Sequence, residues 1–216
     1  MRRPLVTVTY AQSLNGSLAA APGRPLALSG PQSLAFTHQL RAAHAAILVG
    51  VNTVLSDDPQ LTVRHASGPN PQPIVLDSRL RCPPEARLLR HPTHTLWLAT
   101  TEAAPAERQA ALETAGARVI RLPTDSHGHV ALPALLDWLG AQGVTSLMVE
   151  GGAQTITAFL EQRLTDRLIV TLAPRLVGGL NAIAAPLDLT LHNVRCQMLG
   201  EDVIVEAEID YRQTAV

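Results

Sequence analysis

Short runs of apolar, β-branched residues alternate along this chain with stretches that carry helical spacing. Pro4–Tyr10 alternates β-branched residues and reads as a strand. Ala11–Ala27 is small and polar, with Gly16, Pro22, Gly23 and Pro25, and reads as a long loop. Ser29-Gly30-Pro31 opens a helix through about Ala43; Pro31 suits a first turn, where its missing N–H would have no partner anyway. The apolar run Ala45–Val49 is a buried strand ended by Gly50, and Thr53–Asp58 fits one helical turn stopped by Pro59. Further strands are predicted at Ile74–Asp77, Thr95–Ala99, Arg118–Leu122, Ser146–Glu150 and Asp166–Ala173. Helices are predicted at Pro105–Ala115, closed by Gly116, at Leu132–Ala141, and from Gly151-Gly152 to about Gln162. A last strand, Val203–Ile209, can pair with Cys196–Leu199 as a hairpin.

Parallel strands need a crossover between them, commonly a helix, whereas antiparallel strands need only a turn. Alternating elements followed by terminal strands therefore predict an α/β fold: a mostly parallel sheet flanked by helices, with antiparallel C-terminal strands. The 216 residues show no internal repeat and no shift in composition, so a single domain over residues 1–216 is expected. Only 3% are aromatic against 46% hydrophobic, which leaves Ala, Leu and Val to fill the core.

The formal net charge of -1 argues against broad electrostatic binding to nucleic acid or anionic lipid, so an anionic ligand must be held by local charge. The N-terminal MRRPLVTVTYAQS has no apolar stretch of signal-peptide length, and no window approaches a membrane span; a cytoplasmic protein is expected. Cys82 and Cys196 are far apart with no CxxC partner, so inert or buried thiols are expected rather than a disulfide framework or a zinc site. All 17 basic residues are arginine, which excludes a Schiff-base lysine and a P-loop lysine.

The sharpest chemical feature is Leu147-Met148-Val149-Glu150-Gly151-Gly152-Ala153-Gln154-Thr155. A buried strand runs into two glycines and then a helix, whose first N–H groups lack partners and carry partial positive charge. A phosphate or diphosphate fits such a turn, although Gly-Gly alone would also satisfy a plain strand-to-helix connection. The pattern is not G-x-G-x-x-G, so an ordinary Rossmann fingerprint is absent. Glu150 is a charged residue at the end of an apolar strand, at the sheet edge where ligands of parallel sheets bind. The segment Gly50–Arg64 places Thr53, Asp57, Asp58 and Arg64 just beyond another strand end. Asp57-Asp58 lacks a histidine or third carboxylate at ligand spacing, so no metal is expected, and helix capping explains the pair as well. Arg41 and Arg64 suit a phosphate clamp, because guanidinium forks bind phosphate bidentately. Ser78 and Arg79, after strand Ile74–Asp77, are positioned to meet a nucleotide 2′-phosphate. No G-x-S-x-G elbow marks a hydrolase nucleophile.

These motifs occur in a familiar order. Ser13-Leu14-Asn15-Gly16, Leu28-Ser29-Gly30, His38-Gln39-Leu40-Arg41-Ala42, Ile47–Val54, Asp57–Arg64, Val75–Ser78, Val149–Gly152 and Ala173–Gly178 follow one another along nearly the whole chain. In this the chain resembles the C-terminal reductase domain of the bifunctional riboflavin-biosynthesis deaminase/reductase, and the stand-alone pyrimidine reductases of the same pathway. The resemblance implies a dihydrofolate-reductase-like fold, NADPH as hydride donor, a homodimer, and reduction of the ribosyl chain of a 5-amino-6-(ribosylamino)pyrimidine 5′-phosphate to ribityl. It implies nucleotide contacts at Thr53, Asp57, Ser78 and Gly152, Ala153, Gln154, Thr155, Ile156, Thr157 and Ala158, to which the glycine turn adds Gly151 and the strand end adds Arg79. It implies substrate contacts at Arg41, Leu61, Arg64 and Glu150, with Glu150 orienting the substrate and relaying a proton. Three positions depart from the family pattern: Asn15 where Asp is usual, Ser17 where a basic residue is usual, and Ala45 where Asp is common. With Ser17, a pterin or other heterocycle on the same fold stays open as substrate, as does a non-catalytic nucleotide-binding module.

Overall fold

The computed structural model of the chain describes residues 2–21 and 26–211. Its elements in chain order are β1 (Leu5–Ser13), β2 (Ser17–Ala19), α1 (Pro31–Ala43), β3 (Ala46–Gly50), α2 (Val51–Asp57), β4 (Gln72–Leu76), a 3₁₀ turn (Arg87–Arg90) and β5 (Trp97–Thr101). They continue as α3 (Ala106–Thr114), β6 (Arg118–Leu122), α4 (Leu132–Ala141), β7 (Ser146–Val149), α5 (Ala153–Glu161), β8 (Arg167–Ala173), β9 (Leu180–Asn181), β10 (Leu191–Leu199) and β11 (Asp202–Ile209).

The main sheet has nine strands in the order β10-β11-β8-β1-β7-β3-β4-β5-β6. Strands from β6 across to β8 run parallel, while β11 is antiparallel to β8 and β10 to β11, as the alternation of elements predicts. Both faces are covered, which is why the central strands read as continuous apolar runs. On one face Val6, Val8, Leu48, Ile74, Leu147, Val149 and Val170 pack against Leu135, Leu136 and Leu139 of α4 and Ile156 and Phe159 of α5. On the other, Ile47, Val49, Val75, Leu98 and Met148 meet Val54 of α2, Leu112 of α3, and Leu80 and Leu88 from the loops. Chain order places β7 between β1 and β3, so the sheet reverses its winding there, and the carboxyl ends of such strands are where ligands of open α/β sheets bind.

Several expectations need correction. The predicted loop Ala11–Ala27 is partly strand: β1 runs on to Ser13, held against β8 through Ser13↔Ala173, and β2 pairs with β9. These partners lie more than a hundred residues away, so nothing in the local composition signals them; positions 22–25 of that loop lie outside the described residues. The helix predicted from Thr53 begins at Val51, directly from Gly50. The hairpin strand predicted as Cys196–Leu199 starts at Leu191, with a bulge between His192 and Arg195 around the positive φ of Asn193. Cys82 is buried, and burial pushes its thiol up to about 12, but Cys196 is exposed.

Candidate active site

Two strand-to-helix junctions lie side by side at the carboxyl ends of β3 and β7. β3 and β7 pair in parallel, with Leu48 opposite Val149, and Glu150 N–H continues the ladder to Leu48 O at 2.9 Å. Each strand turns at once into a helix, α2 from Gly50 and α5 from Gly152, and neither helix has a side-chain cap. Glycine is required at both junctions. A Cβ on Gly50 would lie 2.5 Å from Thr155 Oγ1. Gly152 has φ +79°, and a Cβ there would lie 3.2 Å from Thr53 Oγ1. The close approach brings Thr53 and Thr155 hydroxyls together beside the uncapped N–H groups of α5, an arrangement suited to a diphosphate. Asn52 Nδ2 donates to Gln154 Oε1 at 3.2 Å, and Arg81 Nη2 to Asn52 Oδ1 at 2.8 Å, which ties the two junctions together. Arg81 is an addition that the sequence reading did not single out.

Of the run Gly152–Ala158, the turn itself is open to a ligand, but Ile156 is in the core and Thr157 Oγ1 accepts the Ala184 amide at 2.8 Å. Asp57 is exposed at the far end of α2, where its carboxylate accepts from Ser56 Oγ at 2.6 Å. Ser78 and Arg79 line a pocket of about 360 Å³ with Thr101, Ala103, Pro105, Thr124 and Gly128. It lies beyond the carboxyl ends of β4, β5 and β6, on the same edge as the glycine turn. Ser78 Oγ accepts the Val130 amide at 3.2 Å.

Glu150 and Arg41 meet across 109 positions of sequence. Arg41 donates from Nε to Oε2 at 2.9 Å and from Nη2 to Oε1 at 2.7 Å, and its Nη1 donates to Thr62 O at 3.0 Å. The side chains are only 12% and 17% exposed. Helix α1, which carries Arg41, is pinned at both ends. Asp202, from the start of β11, accepts the Gly30 amide at 2.7 Å and the Ser33 hydroxyl. At the other end His44 bridges Leu40 O and Thr7 Oγ1.

Arg64 Nη1 donates to Thr62 Oγ1 at 2.8 Å. Burial lowers the Arg64 pKa from its ordinary value, and the neighbouring charges of Arg41 and Arg87 add to this, against the pull of Glu150. Leu61 is buried with φ +53°, which turns the chain sharply between Asp58 and Arg64. His38, fully buried on α1, accepts the Arg64 amide through Nδ1 at 3.0 Å and packs edge-on against His65 with ring centroids 4.8 Å apart. Burial first, then the charges of Arg41, Arg64 and His65, lowers its pKa to about 4, so the ring is neutral and acts as an acceptor. Its presence in the His38–Ala42 motif was a usable signal; its role was not, because only the fold brings it under Arg64.

Asn15 and Ser17 both face the loop after β8. Asn15 accepts the Val177 amide and donates to Val177 O, each at 3.0 Å, and Ser17 Oγ donates to the same carbonyl at 2.6 Å. An Asp at position 15 could accept but not donate. Ala45 is exposed, and its amide is bound by Ser146 Oγ at 2.9 Å.

Among the described residues no group of three or more His, Cys, Asp or Glu side chains is poised to hold a metal, and no helix is long and apolar enough to cross a membrane.

A model of the RibD C-terminal domain family matches residues 4–205. The 2,5-diamino-6-ribosylamino-4(3H)-pyrimidinone 5′-phosphate reductase of Methanothermobacter thermautotrophicus is 38% identical, over 94% of this chain and 97% of its own. Among solved structures, Acinetobacter baumannii RibD superposes with a TM-score of 0.78 at 26% identity, over 96% of this chain but 58% of that longer one. Enterococcus faecalis dihydrofolate reductase shares the fold, with a TM-score of 0.53 at 13% identity over 95% of this chain and 96% of its own.

Proposed function

Because this chain belongs to the RibD C-terminal domain family, we propose that it is an NADPH-dependent reductase, converting the ribosyl side chain of a 5-amino-6-(ribosylamino)pyrimidine 5′-phosphate to ribityl. The observation that carries this is the meeting, on one sheet edge, of an uncapped glycine turn and a half-buried Arg41–Glu150 pair. The first suits a diphosphate and the second suits a polar substrate.

NADPH would lie along the carboxyl edge of the sheet. Its diphosphate would sit over Gly151–Thr155 and Thr53, and its adenosine end in the pocket of Ser78 and Arg79. The pocket is two to three strand positions from the turn, about 10–15 Å at ~4.8 Å per strand, which a dinucleotide spans. When bound, the cofactor supplies hydride to C1′ of the ring-opened ribosylamine. The protein's share is orientation and exclusion of water. Glu150, its two oxygens fixed by the Arg41 fork, presents its remaining lone pairs to the substrate's hydroxyls and amine. Held in this bidentate pair it orients the substrate, and the proton that the side-chain nitrogen takes up with the hydride comes from solvent, relayed by Glu150. Arg64 faces the phosphate end.

The departures at Asn15 and Ser17 leave the choice between this pyrimidine and a pterin to the assay below. Both side chains close the turn after β1 onto Val177, so they have a structural cause. A homodimer is part of the proposal. The nine residues of β10 form a sheet edge exposed along most of its length, with Val194 51% and Met198 61% exposed, and a second copy can cover it by pairing edge to edge. Val194→Arg should then yield monomers in sedimentation velocity. The protein is taken to act as one reductase domain in the cytoplasm, on diffusible metabolites.

The test is loss of nicotinamide absorbance when NADPH and the purified protein meet each pyrimidine in turn, the 2,5-diamino-4-oxo form and the deaminated one. Turnover of one is expected. If neither reacts but a pterin does, the substrate is wrong; if nothing reacts, the chain is a binding module.

A further inference from the structure

We propose that Arg108 is a positioning residue of the cofactor site: together with Asp77 it fixes the turn Ser78–Cys82, and through Arg79 on that turn it sets the preference for a cofactor carrying a 2′-phosphate. The proposal rests on the NADPH reading above.

The turn follows β4 and links the two halves of the site. Ser78 and Arg79 line the pocket at one end, while Arg81 reaches Asn52, which in turn bonds Gln154 of the glycine turn. Arg79 is exposed, and none of its side-chain donors is used among the described residues.

The backbone of this turn is held from two sides. Asp77, fully buried, accepts the Cys82 amide through Oδ2 at 2.7 Å and the Leu80 amide through its backbone carbonyl at 3.1 Å. Arg108, in the first turn of α3, donates from Nε to Leu80 O at 2.8 Å and from Nη2 to Cys82 O at 3.1 Å. Leu80 and Cys82 therefore each have the N–H bound by Asp77 and the C=O bound by Arg108. Leu80 needs the clamp. It has φ +53°, a conformation that a branched residue keeps only where its surroundings impose it, and its side chain is fully buried in one cluster with Leu88 and Leu112. Arg108 forms none of the ion pairs found among the described residues, so these two carbonyls are its partners. A planar fork engaged on carbonyls two residues apart fixes direction as well as distance, which a single ammonium does not.

The start of the turn is anchored independently, since Thr101 Oγ1 donates to Ser78 O at 2.9 Å. Loss of Arg108 thus leaves Ser78 in place and frees the backbone from Arg79 onward. The direction in which the Arg79 side chain leaves the turn is what the fork determines.

The experiment uses the full chain with Arg108→Ala, Arg108→Lys, Arg79→Ala and the Arg79→Ala/Arg108→Ala double variant. Arg108→Ala should lower the ratio of catalytic efficiency with NADPH to that with NADH about fivefold, no further than Arg79→Ala does, and through KM for NADPH rather than kcat. Arg108→Lys keeps the charge but loses the fork, and should stay about threefold below wild type. Adding Arg108→Ala to Arg79→Ala should change the ratio by less than about 1.5-fold, because the residue through which Arg108 acts is already gone. Calorimetric titration of adenosine 2′,5′-bisphosphate and of AMP needs no turnover and should show the same pattern in their affinity ratio. A wild-type ratio in Arg108→Ala, whatever its melting temperature, would overturn the proposal, as would an undiminished effect of Arg108→Ala in the Arg79→Ala background. Full recovery in Arg108→Lys would overturn it too, by assigning the effect to charge alone. If Arg108→Ala does not fold, Arg108→Lys carries the same test. Wild-type protein that binds adenosine 2′,5′-bisphosphate no tighter than AMP would instead refute the NADPH reading itself.

Discussion

Arg41→Ala strips the fork from Glu150 while leaving the carboxylate in place, and its consequences can be worked from the geometry. Three hydrogen bonds are lost, two of them across an ion pair whose side chains are 12% and 17% exposed. Breaking a fully buried pair by removing one partner costs ~3–5 kcal/mol, because an uncompensated charge remains. The cavity left by Arg41 opens the partly exposed Glu150 to water, so a smaller loss of about 2–3 kcal/mol is expected. At ~2–4 °C per kcal/mol for a chain of this size, Tm should fall by roughly 4–12 °C. Glu150→Ala should cost a comparable amount, but the double variant should cost less than the sum by at least ~1 kcal/mol, since neither charge is then left alone. Arg41→Lys should fall in between, keeping charge but losing the fork. Urea titrations at neutral pH give these values, provided the slope with denaturant is unchanged. A loss under ~0.5 kcal/mol for Arg41→Ala, or additivity of the two single changes, would mean that the pair does not hold the site together.

Three further outcomes are expected. Gly152→Val adds a side chain at φ +79°, with its Cβ 3.2 Å from Thr53 Oγ1, and should weaken NADPH binding tenfold or more; unchanged affinity in a folded variant, read by fluorescence titration, would remove the turn from consideration. Arg79→Ala should lower the ratio of catalytic efficiency with NADPH to that with NADH several-fold, whereas a wild-type preference that is absent, or unchanged by the substitution, would assign Arg79 to solvent. His38 stays neutral in the folded chain down to about pH 4, while the unfolded chain binds its proton near pH 6.5. Stability is therefore lost as pH falls from about 6.5 toward 4, and His38→Asn should flatten that loss; His44 and His91, lowered in the same direction by burial, remain as background. Equal slopes for wild type and variant in pH-dependent denaturation would contradict the His38 assignment.

The chain's own periodicity determined a good part of the fold. Arg118–Leu122 and Leu132–Ala141 are found with the boundaries the sequence predicts, and the Gly151-Gly152 turn lies between strand and helix as read. Such features are local: side-chain alternation, helical spacing, and a glycine where the backbone must take a positive φ. Resemblance carried the candidate residues further than spacing could, yet it listed Arg41 and Glu150 only as separate substrate contacts.

Tertiary structure decided the rest. The insertion of β7 between β1 and β3 sets their strand-to-helix junctions side by side, and the pairings of β2 with β9 and of β1 with β8 turned a loop-like composition into strand. Glu150 meets Arg41 across 109 positions, and His38 lies under Arg64. No window of sequence contains these partners. Their meeting depends on how the open sheet brings its loops together, and it is there that Arg41 is held on a carboxylate.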